Sequence, residues 1–304
     1  MKATGIRRGD DLEKWLEFRR QHITASDAAA IMGKSPFSTP LGVWMEKTGR
    51  KQSKDQEDRA LLDWGNRLES VACEWVGEEC GVSVEPTDEI YVHPEHDWLS
   101  CSPDGFFSLP DHHGKPTMYG YLEVKCPSIW TKDHWQHGMP EHYCIQTQLG
   151  MEITGADAGI LAAVIQPKLY WARIEHSDQM VNEIIDACWT FKKSYIDKDT
   201  PPPMTGSSKE AGFIKELHPE DSGKVIALGE NAVSAARRLE FVQERRMAID
   251  KEEKELKNII KMELGSASYG TMPGEGAYSW LTAKNGARTL RYVRSVPTTK
   301  QGTP

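Results

Sequence analysis

Apolar positions recur along this chain with two periods, and the switch between them marks its elements. Leu12, Trp15, Leu16 and Phe18 fall three or four residues apart, which predicts a helix over 10–22. Ile23-Thr24-Ala25-Ser26-Asp27 follows, with Ser26 expected as the N-cap of a short Ala-rich helix through Met32 that stops at Gly33. A Ser/Pro-rich turn then leads into a helix over 41–47, and a longer helix is predicted over 58–80. Its inward stripe holds Leu62, Gly65, Glu69, Ala72 and Val76. Period two takes over at 98–102 and again at 119–126, where strands are expected. Strand side chains alternate, so Tyr121, Glu123 and Lys125 share one face while Leu122 and Val124 share the other.

Beyond these strands, Pro140 starts a helix containing Tyr143, Gln146, Gln148 and Gly150. Two strands are expected over 156–166 and 169–174, then an amphipathic helix over 178–196. The run Asp197-Lys198-Asp199-Thr200-Pro201-Pro202-Pro203 breaks the pattern. Residues 1–200 therefore read as one core, 201–230 as a linker with little periodicity, and 231–304 as an extension. The extension opens with a charged helix over 231–264, with Leu239, Val242, Ile249, Leu256 and Ile260 at near-heptad spacing, interrupted by Arg246 and Glu253. That pattern predicts packing on one neighbour rather than a free-standing coiled coil. Short Gly-punctuated strands over 269–293 place Lys284, Arg288 and Arg291 after Trp280, a hairpin that either touches DNA backbone or packs through Trp280. The tail after Ser295 is expected to be disordered.

Composition narrows the class. The chain has 304 residues, 38% hydrophobic, enough for one large domain with an appendage. Its six cysteines include no C-x-x-C pair, which argues against a disulfide framework, a zinc ribbon or an iron–sulfur cluster and for a reducing cytoplasm. No apolar run approaches the roughly 20 residues of a membrane span, and no signal peptide is expected. A net charge of −8 counts against non-specific wrapping of nucleic acid, although a basic channel inside an acidic exterior would be compatible with it.

The chemistry concentrates in Ser102-Pro103-Asp104-Gly105 and Leu122-Glu123-Val124-Lys125-Cys126-Pro127, read as two strands whose ends meet. Two carboxylates, Asp104 and Glu123, could hold a hard divalent cation while Lys125 positions or deprotonates an attacking water, the arrangement of a metal-dependent phosphodiesterase. From these residues alone, a surface ion pair on a hairpin reads as well. Glu69 on an inward stripe is either a third ligand or a stripe-edge carboxylate reaching solvent.

Taken together, Arg19, Ile23-Thr24-Ala25-Ser26, Gly65-x-x-x-Glu69, the Asp104 and Glu123-x-Lys125 motifs and Tyr143-x-x-Gln146-x-Gln148 resemble the YqaJ-like viral recombinase family, the lambda-exonuclease branch of the PD-(D/E)XK nucleases. The resemblance covers about residues 10 to 200. It implies an α/β fold of the α+β type, a restriction-endonuclease-like core with a mixed central β-sheet flanked by helices and a helical C-terminal extension. It also implies a nuclease that degrades one strand of linear double-stranded DNA from the 5′ end. By that resemblance Asp104, Glu123, the Val124 carbonyl and Glu69 bind Mg²⁺, with Mn²⁺ as a substitute. Lys125 is the catalytic lysine, Gln146 and Gln148 form the glutamine motif, and Arg19 with Ser26 takes the 5′-phosphate. A ring-shaped homo-oligomer, a single-strand annealing partner and a phage or prophage origin in a bacterial cytoplasm belong to the same expectation. An endonuclease with the same site, or a non-catalytic DNA-end scaffold, are the competing readings.

Overall fold

A computed structural model of the chain describes residues 1–50, 56–110 and 116–296. The chain divides into two units, Met1–Asp221 and Ser222–Pro304. In the first, β1 (Lys2–Arg7) and α1 (Leu12–Gln21) precede β2 (Ile23–Thr24), α2 (Ala25–Ile31), α3 (Pro40–Lys47) and α4 (Gln56–Cys80). Then come β3 (Ser83–Pro86), β4 (Glu89–Val92), β5 (Leu99–Cys101), β6 (Gly105–Pro110) and β7 (Pro116–Lys125). They are followed by α5 (Lys132–Gln136), α6 (Glu141–Thr154), β8 (Ala158–Ile165), β9 (Lys168–Glu175), α7 (Asp178–Phe191) and α8 (Ser208–Leu217).

Two mixed sheets result. One runs β3-β6-β7-β8-β9, antiparallel except for the parallel β7–β8 pair, which α6 connects as a crossover. The other runs β1-β4-β5-β2. The period-two reading of β7 is correct at every inward position. Leu122 and Val124 pack with Ala72, Cys73 and Val76 of α4, while Tyr121 packs with Ile145, Leu149 and Met151 of α6. The helices thus cover opposite faces of β7, and Glu123 points to the α6 side. Gly150 makes that packing possible, because a Cβ on it would collide with the ring and hydroxyl of Tyr121.

Three local readings change. Thr24, not Ser26, is the N-cap of α2, with the side chains of Thr24 and Asp27 forming a reciprocal capping box. The 98–102 strand runs into a bend at Asp104 as read, but it does not share a sheet with the Glu123 strand. That strand, β5, belongs to the other sheet, and Asp104 stands at the crossing from it into β6, which pairs with β7 at Gly105–Leu122. The stretch read as an irregular linker contains α8, whose Phe213 ring lies against α3 where Gly42 has no side chain; a Cβ there would be 2.7 Å from the ring. The side chain of Leu62 and the tail from residue 297 lie outside the described residues.

The second unit contains α9 (Glu230–Leu264) and an antiparallel sheet β10 (Tyr269–Met272), β11 (Gly276–Thr282), β12 (Arg288–Val293). Leu264 is the buried residue of α9 among those described. Arg288 lies 3.6 Å over the Trp280 ring and donates to the carbonyls of Gly265, Ala267 and Trp280. These contacts tie it to the hairpin and to the turn after α9. Among the described residues no helix is long and apolar enough to cross a membrane.

A buried ion pair anchors α2 to α3. The Lys47 ammonium, 2% exposed, lies 2.7 Å from Asp27 Oδ2 and donates to the Arg19 carbonyl at 2.9 Å. Burial pushes the Asp27 carboxyl up, but the charges of Lys47 and Arg19 and hydrogen bonds from Lys47 and Thr24 outweigh it and hold it below its ordinary value. Because the folded value is the lower one, this stabilisation is present above the unfolded carboxylate pKa of about 3.9 and is lost as pH falls through the folded value. Lys47→Met leaves the Asp27 charge buried without its partner and should cost about 3–5 kcal/mol in urea unfolding at pH 7, with a smaller cost at the acid end of the range. Gly150→Ala should lower unfolding stability by about 1–3 kcal/mol or more, because the Tyr121 ring it would meet is fully buried and held at its hydroxyl by Glu123.

Candidate active site

Glu123 sits in the middle of β7 with 1% of its surface exposed. A carboxylate so placed needs donors, and three converge on it. The Tyr121 hydroxyl donates to Oε2 at 2.7 Å, Gln146 Nε2 donates to Oε1 at 2.6 Å, and Lys125 Nζ forms a short ion pair with the same oxygen. Tyr121 and Lys125 reach it because they are two residues away on the same strand face, and Gln146 because α6 crosses that face. Burial and the nearby Glu123 charge push the Tyr121 hydroxyl well above its usual pKa, so it remains a donor.

Asp104 is fixed to the same strand. Its backbone N–H donates to the Leu122 carbonyl at 3.2 Å, and its Oδ2 accepts from the Val124 amide at 2.7 Å. The Asp104 carboxyl is held well above its ordinary range, first by burial and then by the charges of Glu123 and Glu69, against the lowering effect of Lys125 and the Val124 amide. Lys125 responds in the opposite sense. Burial alone would lower its pKa, but Glu123 and Asp104 outweigh it, and the side chain is an ammonium at neutral pH. Its Nζ also lies 5.4 Å from the centre of the Tyr143 ring.

Glu69 is partly buried on α4, one turn before Cys73, whose thiol reaches the Asp104 carbonyl at 3.7 Å. Its carboxylate pairs with Arg8 Nη2 at 2.8 Å. The inward stripe therefore brought Glu69 to the edge of the site, and a cation just after β1 occupies it. Among the described residues no three His, Cys, Asp or Glu side chains gather closely enough to hold a metal ion by themselves. The donor set nonetheless fits a hard divalent cation. It consists of oxygens only, and Asp104 is destabilised as an anion by two neighbouring carboxylates whose repulsion a cation would relieve. Asp104, Glu123 and the Val124 carbonyl would hold it, with Glu69 available on leaving Arg8.

Arg19 and Ser26 form a second polar cluster. Arg19 Nη2 donates to Ser26 Oγ at 2.9 Å and Nη1 to Ser102 Oγ at 3.3 Å, and the guanidinium lies 4.5 Å from the centre of the Trp15 ring. Ser102 is two residues before Asp104, so this cluster and the carboxylates adjoin along one short segment. Gln148 does not join either. Two residues on a helix are about 200° apart, so Gln146 and Gln148 face opposite ways. Gln148 instead donates to the Glu175 carbonyl at 2.7 Å and accepts from the Ser177 amide at 3.0 Å, bridging β9 to α7. A groove of about 480 Å³ lined by Lys34, Ser35, His134, Pro140, Glu141 and His142 opens at the start of α6.

Sequence reasoning missed Tyr121 and Arg8 as partners of the carboxylates. For Tyr121 the signal was present, since alternation put it on the Glu123 face. For Arg8, 61 residues from Glu69, there was none.

Comparison with known proteins finds similarities in sequence and in fold. The chain is 26% identical over 263 residues to the uncharacterized protein YqaJ of Bacillus subtilis (strain 168), covering 85% of this chain and 80% of that protein. LHK-Exo, solved in complex with dAMP, aligns with a TM-score of 0.50 and 22% identity over 62% of this chain and 93% of its own. A phage-related exonuclease from Haemophilus somnus 129PT aligns with a TM-score of 0.43 and 13% identity over 61% of this chain and 98% of its own. The mixed α/β architecture with helices about mixed sheets is thus one shared with an exonuclease structure. Residues 14–157, which hold Arg19, Ser26, Glu69, Asp104, Glu123, Lys125 and Gln146, match the family described as YqaJ-like viral recombinase domain.

Proposed function

We propose that this chain is a metal-dependent 5′-to-3′ exonuclease of linear double-stranded DNA, built on a PD-(D/E)XK core and leaving 3′ single-stranded tails for phage-type recombination. The observation that carries this reading is the buried Glu123 carboxylate, held by Lys125 and Gln146 beside Asp104. A structural Glu123–Lys125 ion pair would not need two further carboxylates, Asp104 and Glu69, brought close to it. Mg²⁺, or Mn²⁺ in its place, would be held by Asp104, Glu123, the Val124 carbonyl and Glu69. When bound, such a cation supplies charge neutralisation for the carboxylates and Lewis-acid polarisation of the scissile phosphate.

The chain's own groups do the rest. Lys125, held as an ammonium, donates toward an attacking water or a non-bridging phosphate oxygen, orienting the one or offsetting charge on the other. Gln146 orients Glu123 and is placed to exchange that bond for one to the attacking water. Attack at phosphorus breaks the bond to the 3′-oxygen, and no covalent enzyme intermediate is required. Arg19 and Ser26, with Ser102, supply donors for a terminal 5′-phosphate next to the scissile bond. LHK-Exo was solved with dAMP, a deoxynucleoside monophosphate, the class of product that terminal hydrolysis releases. The same reading includes a bacterial cytoplasmic setting, a ring-shaped homo-oligomer threaded by DNA, and a single-strand annealing protein that takes up the exposed 3′ strand.

Digestion of a linear duplex with each strand labelled separately, with and without chelator, tests the reaction, its metal and its polarity together. Mononucleotides should leave the 5′-phosphorylated strand only with Mg²⁺ present, and a covalently closed circle should survive; a cut circle would establish an endonuclease instead. Lys125→Ala should abolish hydrolysis while DNA binding persists, and cleavage at the wild-type rate by that variant would exclude this mechanism. Arg19→Ala should reduce the preference for 5′-phosphate over 5′-hydroxyl ends by about tenfold or more, whereas an equal loss on both would assign Arg19 a structural role.

A further inference from the structure

The groove of about 480 Å³ between the end of α2 and the start of α6 lies wholly within the first unit, outside the carboxylate cluster. Lys34 and Ser35 line it from one side, His134, Glu141 and His142 from the other. Its side chains are mostly donors. Lys34 Nζ pairs with Glu141 at 3.0 Å, but an ammonium has three N–H bonds to give. Ser35 Oγ accepts from the amides of Phe37 and Ser38 at 3.1 and 3.3 Å and keeps its own hydrogen to donate. His142 Nε2 is buried with no hydrogen-bond partner among the described residues, a cost that a ligand would remove. Phe37 stands edge-on to that imidazole at 5.3 Å and steadies it. Burial, then the charges of Lys125 and His134, hold the His142 ring below its ordinary pKa against the effect of Glu141, so it is neutral and has one N–H to place on Nε2.

The position of the groove along α6 gives it a role. Lys34 follows α2 and Glu141 opens α6, so the end of one helix meets the start of the other and the two pack antiparallel. Ser26, in the first turn of α2, therefore lies toward the later turns of α6. Gln146, which holds Glu123, falls between Ser26 and the groove. His142 is one turn before Gln146 on the same face, about 6 Å along the axis, close to the step between successive phosphates of one strand. We propose that this groove binds the backbone phosphate that follows the scissile one on the same strand, with His142 Nε2, Lys34 and Ser35 as its donors. The proposal rests on the reading that Glu123 marks the scissile bond and that Arg19 with Ser26 takes the 5′-phosphate. Three successive phosphates then lie in order along α6, and the strand is gripped on both sides of the bond that breaks. None of the groove donors is shared with the other two positions, so this third contact can be removed by itself.

Equilibrium binding of the full chain to a hairpin duplex with one 5′-phosphorylated end, with Ca²⁺ in place of Mg²⁺, tests this without turnover. One duplex carries a neutral methylphosphonate at the phosphate after the scissile one, and a second carries it several nucleotides further on. Wild type should bind the first about tenfold or more weaker than the unmodified duplex, and the second as well as the unmodified one. Lys34→Ala, and His142→Phe, which keeps a ring and removes its donor, should bind the unmodified duplex more weakly and lose far less on the first replacement, because both changes remove one contact. Lys34 lies outside the core, so its variant carries the test if His142→Phe does not fold. Equal affinity of wild type for the first and the unmodified duplex, or a loss in the variants as large as in wild type, overturns the proposal. Cleavage in Mg²⁺ is measured in parallel. A chain that shows the binding pattern and leaves the duplex uncut refutes the exonuclease reading alone, and one that cuts without the pattern refutes the groove alone.

Discussion

Taking the Glu123 carboxylate out of water costs several kcal/mol unless other donors replace its hydration, and the surrounding elements are arranged to supply them. Tyr121 and Lys125 come from its own strand, Gln146 from the helix crossing above, and Asp104 is tied to the next amide. The parallel β7–β8 pair requires a crossover helix, and that helix, α6, brings the glutamine. The parallel pairing that looks like a matter of topology is thus also what completes the coordination of one buried charge.

The site is frustrated by construction. Asp104, Glu123 and Glu69 repel one another, and the two cations nearest them, Lys125 and Arg8, each satisfy one carboxylate. A site filled entirely by permanent ion pairs would be stable and inert; here three carboxylates share two cations. The overall charge of −8 is compatible with a polyanionic ligand for a related reason, because Arg19 and Lys125 are positioned by local partners rather than by a basic surface.

What the sequence made legible depended on the range of the interaction. Strand alternation resolved both faces of β7 because period two requires only the strand itself, and the inward stripe of α4 brought Glu69 to the site for the same reason. The N-cap of α2 was displaced by two residues, since both Thr24 and Ser26 carry a suitable hydroxyl and only the reciprocal Thr24–Asp27 pairing chooses between them. Gln148 was grouped with Gln146 by a motif that ignores helical rotation. The Arg8–Glu69 and Lys47–Asp27 pairs, and the docking of Phe213 at Gly42, join segments that carry no local trace of each other. The heptad row of α9 was visible in sequence, but what covers it is not a property of one chain's local pattern.

Gly150 and Tyr121 have a consequence for how such a site can change over time. The aromatic ring occupies the volume that any larger residue at 150 would need, and its hydroxyl end supports the central carboxylate. Neither position can drift alone: a bulkier residue on the helix demands a smaller one on the strand, and a smaller one on the strand surrenders a donor. Twenty-nine residues apart, the two positions form a single unit of inheritance, and lineages that keep one should be found to have kept the other.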